Sequence, residues 1–296
     1  MSLLSTPTGR PDRVFSLISL VRAMDGRLEQ EAALRWLAPA IRATDESSFS
    51  EPQPDRVREV FRVARDLKLL DAEGQAWVAK GELPATRREL ATRVHACLRE
   101  LPAEDPDAVM LRAYAWFALF VERDGCSALL GRSAKEISND IAEALGEGRA
   151  SDEDKVFNPT KFSAWKDWMA FLGLGWNDLP GATGFQPEPS RRIIEELSLI
   201  AAGRTRIEGH EFVSALAGAL PYLDGGPLFE KACATQRVRP PEGQLSRLTS
   251  AALRSLHDEE ALKLVMEGDA KKGVALFPDR LHELQFFSHV DFARGV

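Results

Sequence analysis

Between Val14 and Ala79 the spacing of apolar residues is helical three times and then strand-like, and that order restricts what this stretch can fold into. Val14, Leu17, Ile18 and Val21 stand at i, i+3, i+4 and i+7, one face of a helix that ends near Asp25 and Gly26. After a very short connection a second helix is predicted from Leu28 to Leu37. The turn-rich stretch Thr44 to Pro54 leads to Asp55, a residue type whose carboxylate caps helix N-termini, and a third helix is predicted to begin there. In it Val57, Val60, Phe61 and Ala64 form an apolar face, while Arg58, Arg62 and Arg65 recur at i, i+4 and i+7 on the opposite side. Leu67 to Leu70 and Gln75 to Ala79 then form short strands around the turn Asp71 to Gly74. Three helices and a hairpin is the order of a winged helix-turn-helix domain, in which the third helix enters the major groove of DNA and the hairpin reaches the neighbouring backbone.

The same order recurs, so the whole chain is read as a repeat. Phe162, Trp165, Met169 and Leu172 mark a helical face, Gly173 to Trp176 leads into a strand, and Thr183 to Gln186 is its return. Each copy then reaches a proline and a helix start, Pro84 to Leu90 in the first and Pro189 to Ile194 in the second. In a third copy Leu245, Leu248, Ala252 and Leu256 make the apolar face, and Leu262 to Glu267 and Val274 to Phe277 flank the turn Gly268 to Gly273. Helices over 86–101, 105–121 and 132–145 join these units. The expected fold is mainly α with small β-hairpins, as tandem winged helix-turn-helix domains joined by helical segments. Its divisions are an N-terminal winged helix over 1–85, an acidic helical linker region over 86–150, a second winged-helix-like unit over 151–200 and a C-terminal one over 201–296. A chain of 296 residues has room for these separate cores.

Charge limits how such a chain meets nucleic acid. A net charge of −7 excludes a surface that coats DNA nonspecifically. The charge is uneven, however: residues 1–100 hold 16 Lys+Arg and 15 Asp+Glu, against 22 and 30 in residues 101–296. Any DNA contact is therefore local, and Arg56, Arg58, Arg62 and Arg65 supply it, since a guanidinium forks onto phosphate oxygens or a guanine edge. The ordinary alternative is a solvated helix face paired with Glu59 and Asp66. Arg247 and Arg254 form a thinner stripe in the third copy. The longest apolar run, Ala113 to Val121, is half of what a membrane-spanning helix needs and reads as a buried helix. With no secretory signal at the start, and with Cys97, Cys126 and Cys233 far apart and outside any CxxC pair, a cytoplasmic protein away from membranes is expected.

The residues of catalysis are thinly represented. No GxxxxGK[ST] loop is present, and Gly173-Leu-Gly175 does not continue as GxGxxG. His282 and His289 share a helical spacing but have no third ligand, so no metal or cofactor is expected. Glu153 with Lys155, and Asp269 with Lys271, match the acid-x-Lys fragment of metal-dependent nucleases, yet both sit in polar loop contexts. Trp165 and Trp168, beside Phe162, Met169 and Phe171, belong to a core and not to a base-stacking surface.

The N-terminal winged helix, the segment Phe157 to Trp176, and a C-terminal helix and hairpin ending in Phe286, Phe287, Ser288 and His289 together resemble the DpdG family. That family is a component of bacterial gene clusters that put 7-deazaguanine derivatives into DNA and restrict unmodified DNA. The resemblance spans most of the chain and implies a non-enzymatic role beside a helicase or nuclease of the same cluster; it carries no catalytic residue. The expected function is a DNA-binding adaptor that engages duplex DNA through its N-terminal winged helix. The alternatives are a protein-interaction scaffold that never touches DNA and a cryptic metal-dependent nuclease.

Overall fold

Helix ends set by left-handed residues, and short strands entered directly from them, organise both halves of the chain. The computed structural model describes residues 3–5, 8–38, 41–42, 49–50, 54–129, 131–146, 157–177, 184–239, 243–268 and 273–293. Among these the chain is mainly helical with small antiparallel sheets, and it divides into two units, Met1–Asp107 and Ala108–Val296.

The first unit begins with α1 (Pro11–Ala23), whose Val14, Leu17, Ile18 and Val21 are fully buried. Gly26, at φ +82°, closes it by donating its amide to the Val21 carbonyl at 2.9 Å. The next three residues are not the start of a second helix: Arg27–Glu29 is a strand, β1, with Leu28 buried between two exposed charges. α2 follows only at Gln30–Leu37. β2 (Ile41–Arg42) pairs with β3 (Phe49–Ser50); the rest of the predicted Thr44 to Pro54 turn, apart from Pro54, lies outside the described residues.

α3 (Pro54–Asp66) starts one residue earlier than the capping pattern indicates, because proline's fixed φ suits the first helical position. Lys68, at φ 57°, ends this helix, and the Leu69 amide bonds to the Ala64 carbonyl at 2.9 Å. The hairpin therefore begins at Leu70 and not at Leu67, with β4 (Leu70–Glu73) antiparallel to β5 (Ala76–Ala79). β1 pairs with β5 on its other side, placing Leu28 opposite Trp77 and giving the sheet order β1-β5-β4. Phe61 of α3 stacks on Trp77 with centroids 4.5 Å apart, worth about 1 kcal/mol beyond its burial. α4 (Arg87–Arg99), capped by Thr86, completes the unit.

The second unit is built on α5 (Val109–Asp124), where residues 113–121 are all buried. α6 (Ala134–Ala144) starts in a capping box of Ser133 and Glu136, and α7 (Pro159–Phe171) is capped by Asn158. Trp165 of α7 stacks on Phe117 at 4.9 Å and donates its indole N–H to the Met110 carbonyl at 2.9 Å. Trp165 and Trp168 are thus core residues, as their spacing indicates. Beyond α7, β6 (Gly175–Asn177) and β7 (Phe185–Pro187) form a two-stranded hairpin; Thr183 lies outside the described residues.

The remainder runs α8 (Ser190–Ala201), β8 (Arg206–Glu208), α9 (Gly209–Ala219), α10 (Pro227–Gln236), α11 (Arg247–Asp258), β9 (Leu262–Val265), β10 (Val274–Ala275), β11 (Phe286–Phe287) and β12 (His289–Phe292). Val274–Ala275 does not return against β9: it pairs with β11, while β9 pairs with β12. The sheet order β8-β12-β9 matches β1-β5-β4 of the first unit, with the last strand between the other two. The first strands correspond as well: Arg27-Leu-Glu29 and Arg206-Ile-Glu208 each bury the central residue and expose both charges.

Candidate nucleic-acid interface

The amphipathic spacing of α3 decides which of its side chains can meet a ligand. Val57, Val60, Phe61, Val63 and Ala64 are buried, leaving the charged residues on the outer face. Arg56, Arg58 and Arg65 are exposed and Arg62 is half-buried. Arg58, Arg62 and Arg65 share one face over about two turns, whereas Arg56, two residues before Arg58, is exposed on another side at the start of the helix. That surface is not purely cationic. Arg58 pairs with Asp55 at 2.9 Å, Arg62 lies 3.9 Å from Glu59, and Arg65 lies 3.9 Å from Asp66. These exposed pairs are each worth little, so a phosphate competes with them at small cost.

The hairpin beside α3 has the opposite character. Its exposed tip is Asp71, Ala72, Glu73, Gly74 and Gln75, with no basic residue among them, while Lys68 and Lys80 are exposed at its base. Arg27, from β1, lies 3.2 Å from Glu73 and 3.7 Å from Glu29. This acidity, plain in the residue types, escapes a reading that weighs only the helix, and it sets the tip of the hairpin against a phosphate backbone.

Arg247 and Arg254 do not form a comparable stripe. Arg247 is exposed at the start of α11, but its guanidinium stacks 4.0 Å from the centroid of Phe277, and its Nε donates to the Glu122 carbonyl. Arg254 is only 4% exposed and donates to the Leu284 carbonyl through Nη2 at 3.0 Å. Burial pushes its pKa below the usual guanidinium value. Arg254 is thus packed inward, not displayed on an exposed stripe with Arg247. Its spacing from Leu248, Ala252 and Leu256 gave no sign of this, because its acceptors, on Leu284 and Gln285, come from a distant part of the chain.

The candidate catalytic fragments divide similarly. Residues 153–155 and 269–271 lie outside the described residues. His282 lies 3.7 Å from Asp279 and 3.9 Å from Asp258, whereas His289 sits in β12 near Glu267, so the two histidines do not share a helix. Among the described residues no group of three or more His, Cys, Asp or Glu is arranged to hold a metal ion. No described helix is long and apolar enough to cross a membrane.

A family model described as DpdG-like matches residues 1–270, and the chain belongs to that family. No curated protein and no solved structure matches the chain.

Proposed function

We propose that this member of the DpdG-like family is a non-enzymatic DNA-binding adaptor in a bacterial DNA modification-restriction or anti-phage defence system. Family membership supports a role in 7-deazaguanine modification. We read the first unit as a winged helix, and the unit formed around α11 as a second version of it. This reading is supported by the shared order of helices and strands and by the matching sheet orders. The observation that carries the DNA contact is the outer face of α3, where Arg58, Arg62 and Arg65 lie opposite a packed apolar face, with Arg56 exposed at the start of the helix.

The contact is modest and helix-borne. Carboxylates stand beside three of the arginines, and Asp71 and Glu73 keep the tip of the hairpin from bonding phosphate. Such a contact suits a protein that is held to DNA partly through others, namely helicase or nuclease proteins of the same gene cluster in the cytoplasm. Titrating a labelled duplex with the intact chain at low salt tests this. Salt-sensitive binding supports the adaptor, and absence of binding removes it.

A second reading, a winged-helix scaffold that binds only protein, is favoured by Trp36, which is 70% exposed on α2, and by the acidic hairpin. Purification with and without nuclease separates the two. Partners lost on nuclease treatment are bridged by DNA, whereas partners retained are held by protein.

A further inference from the structure

α11 lines a cleft of about 410 Å³ within the second unit, a volume in the range of small-ligand sites. Its floor includes Leu248, Ala251 and Ala252, and its walls include Phe277 and Pro278. Arg247 and Arg254 also line it, seven residues apart and so on the same side of the helix.

These two guanidiniums differ from those on α3. Neither has a carboxylate oxygen within ion-pair distance among the described residues, and their side-chain acceptors are all neutral. Arg247 Nε bonds to the Glu122 carbonyl, while Arg254 bonds to the Leu284 carbonyl and the Gln285 amide oxygen. Asp279 and Asp258 offset the charge of Arg254 only from beyond ion-pair distance, so an anion brought into direct contact with this buried cation would be well placed.

The cleft's carboxylates have other partners. Glu188 accepts the Ser190 amide at 2.9 Å, and Asp279 accepts the Leu281 amide at 2.9 Å with His282 at 3.7 Å. The Glu122 carboxylate, near the cleft, accepts the Arg247 amide at 2.7 Å and feels the Arg247 charge from beyond ion-pair distance.

We propose that this cleft binds a small molecule through a phosphate or carboxylate group, with Arg254 and Arg247 as the anion's donors and the Leu248, Ala251 and Ala252 surface under the rest of the ligand. A duplex displays its phosphates on a broad convex rod. A recessed guanidinium is instead reached by the terminal oxyanion of a small molecule. The site is independent of α3 and of the DNA contact.

The test is thermal melting and calorimetric titration of the full chain with inorganic phosphate, a nucleoside 5′-monophosphate and citrate, each against sodium chloride at equal ionic strength. A rise in melting temperature with at least one of the three, but not with chloride, is expected; a response to phosphate or the nucleotide identifies a phosphate ligand, and a response to citrate alone a carboxylate. Arg247→Gln, at an exposed position that keeps the fold, is expected to weaken that binding roughly ten- to a hundredfold, the effect of losing a charge-assisted hydrogen bond. Arg254→Met removes the buried charge and is expected to abolish binding. Arg58→Ala serves as an unaffected control. No shift beyond chloride with any oxyanion, or wild-type affinity in Arg247→Gln, overturns the proposal.

Discussion

Replacing Arg58, Arg62 and Arg65 together by alanine removes the three guanidiniums of the outer face of α3 and leaves Arg56, exposed at the start of the helix. If each arginine neutralises one phosphate, the slope of log K against log salt falls from about −3.6 to about −0.9. Between about 50 and 200 mM salt the intact chain then loses roughly 150-fold in duplex affinity and the variant only roughly 3.5-fold. Competition from Asp55, Glu59 and Asp66 makes the larger slope an upper bound. The fold is expected to survive, because the lost pairs are solvent-accessible and each contributes under about 1 kcal/mol. Alanine also favours the helix. Fluorescence anisotropy across a salt series measures both slopes, and a circular-dichroism melt checks the fold. Equal slopes and affinities in the two proteins would refute the assignment of α3 to the interface.

Other predictions concern the framework. The Tyr114 hydroxyl is fully buried and makes no hydrogen bond among the described residues, and burial pushes its pKa well up; Tyr114→Phe is expected to stabilise the chain by about 1–2 kcal/mol in a denaturant melt. At Gly175 an added Cβ would lie 2.3 Å from the Gln186 carbonyl oxygen and 2.5 Å from the Phe185 ring, so Gly175→Ala is expected to cost about 2–3 kcal/mol by the same measurement. Asp291 is held below the usual carboxylate range by its hydrogen bonds to Arg206, one of them 2.9 Å long. Its contribution to stability is present above the unfolded carboxylate value and is lost as pH falls through the lower folded value. Asp291→Asn is therefore expected to lower stability at neutral pH and to flatten the acid side of a stability-pH curve.

The helices were legible because each carries its own period. Val14 to Val21, Val57 to Ala64, the apolar run in α5 and Leu248 to Leu256 all show their buried face within eight or nine consecutive residues. β1 and β8 were not legible. Each is three residues long, too short for an alternating pattern to separate from a helix start, and each is a strand only through pairing with a segment far along the chain. The repeated Arg-x-Glu at 27–29 and 206–208, each following a glycine turn, was the available signal. The arginine face of α3 was readable for the same reason as its core: one helix supplies all of it. The state of Arg254 was not, because the acceptors that receive its guanidinium lie 30 and 31 residues away.

Locating the DNA contact tests the account most directly. Photo-cross-linking of the intact chain to a halogenated duplex, followed by peptide mapping, is predicted to place the cross-links within residues 54–66. Cross-links confined to other segments, or none above the signal of a competitor-saturated control, would contradict an interface carried by α3.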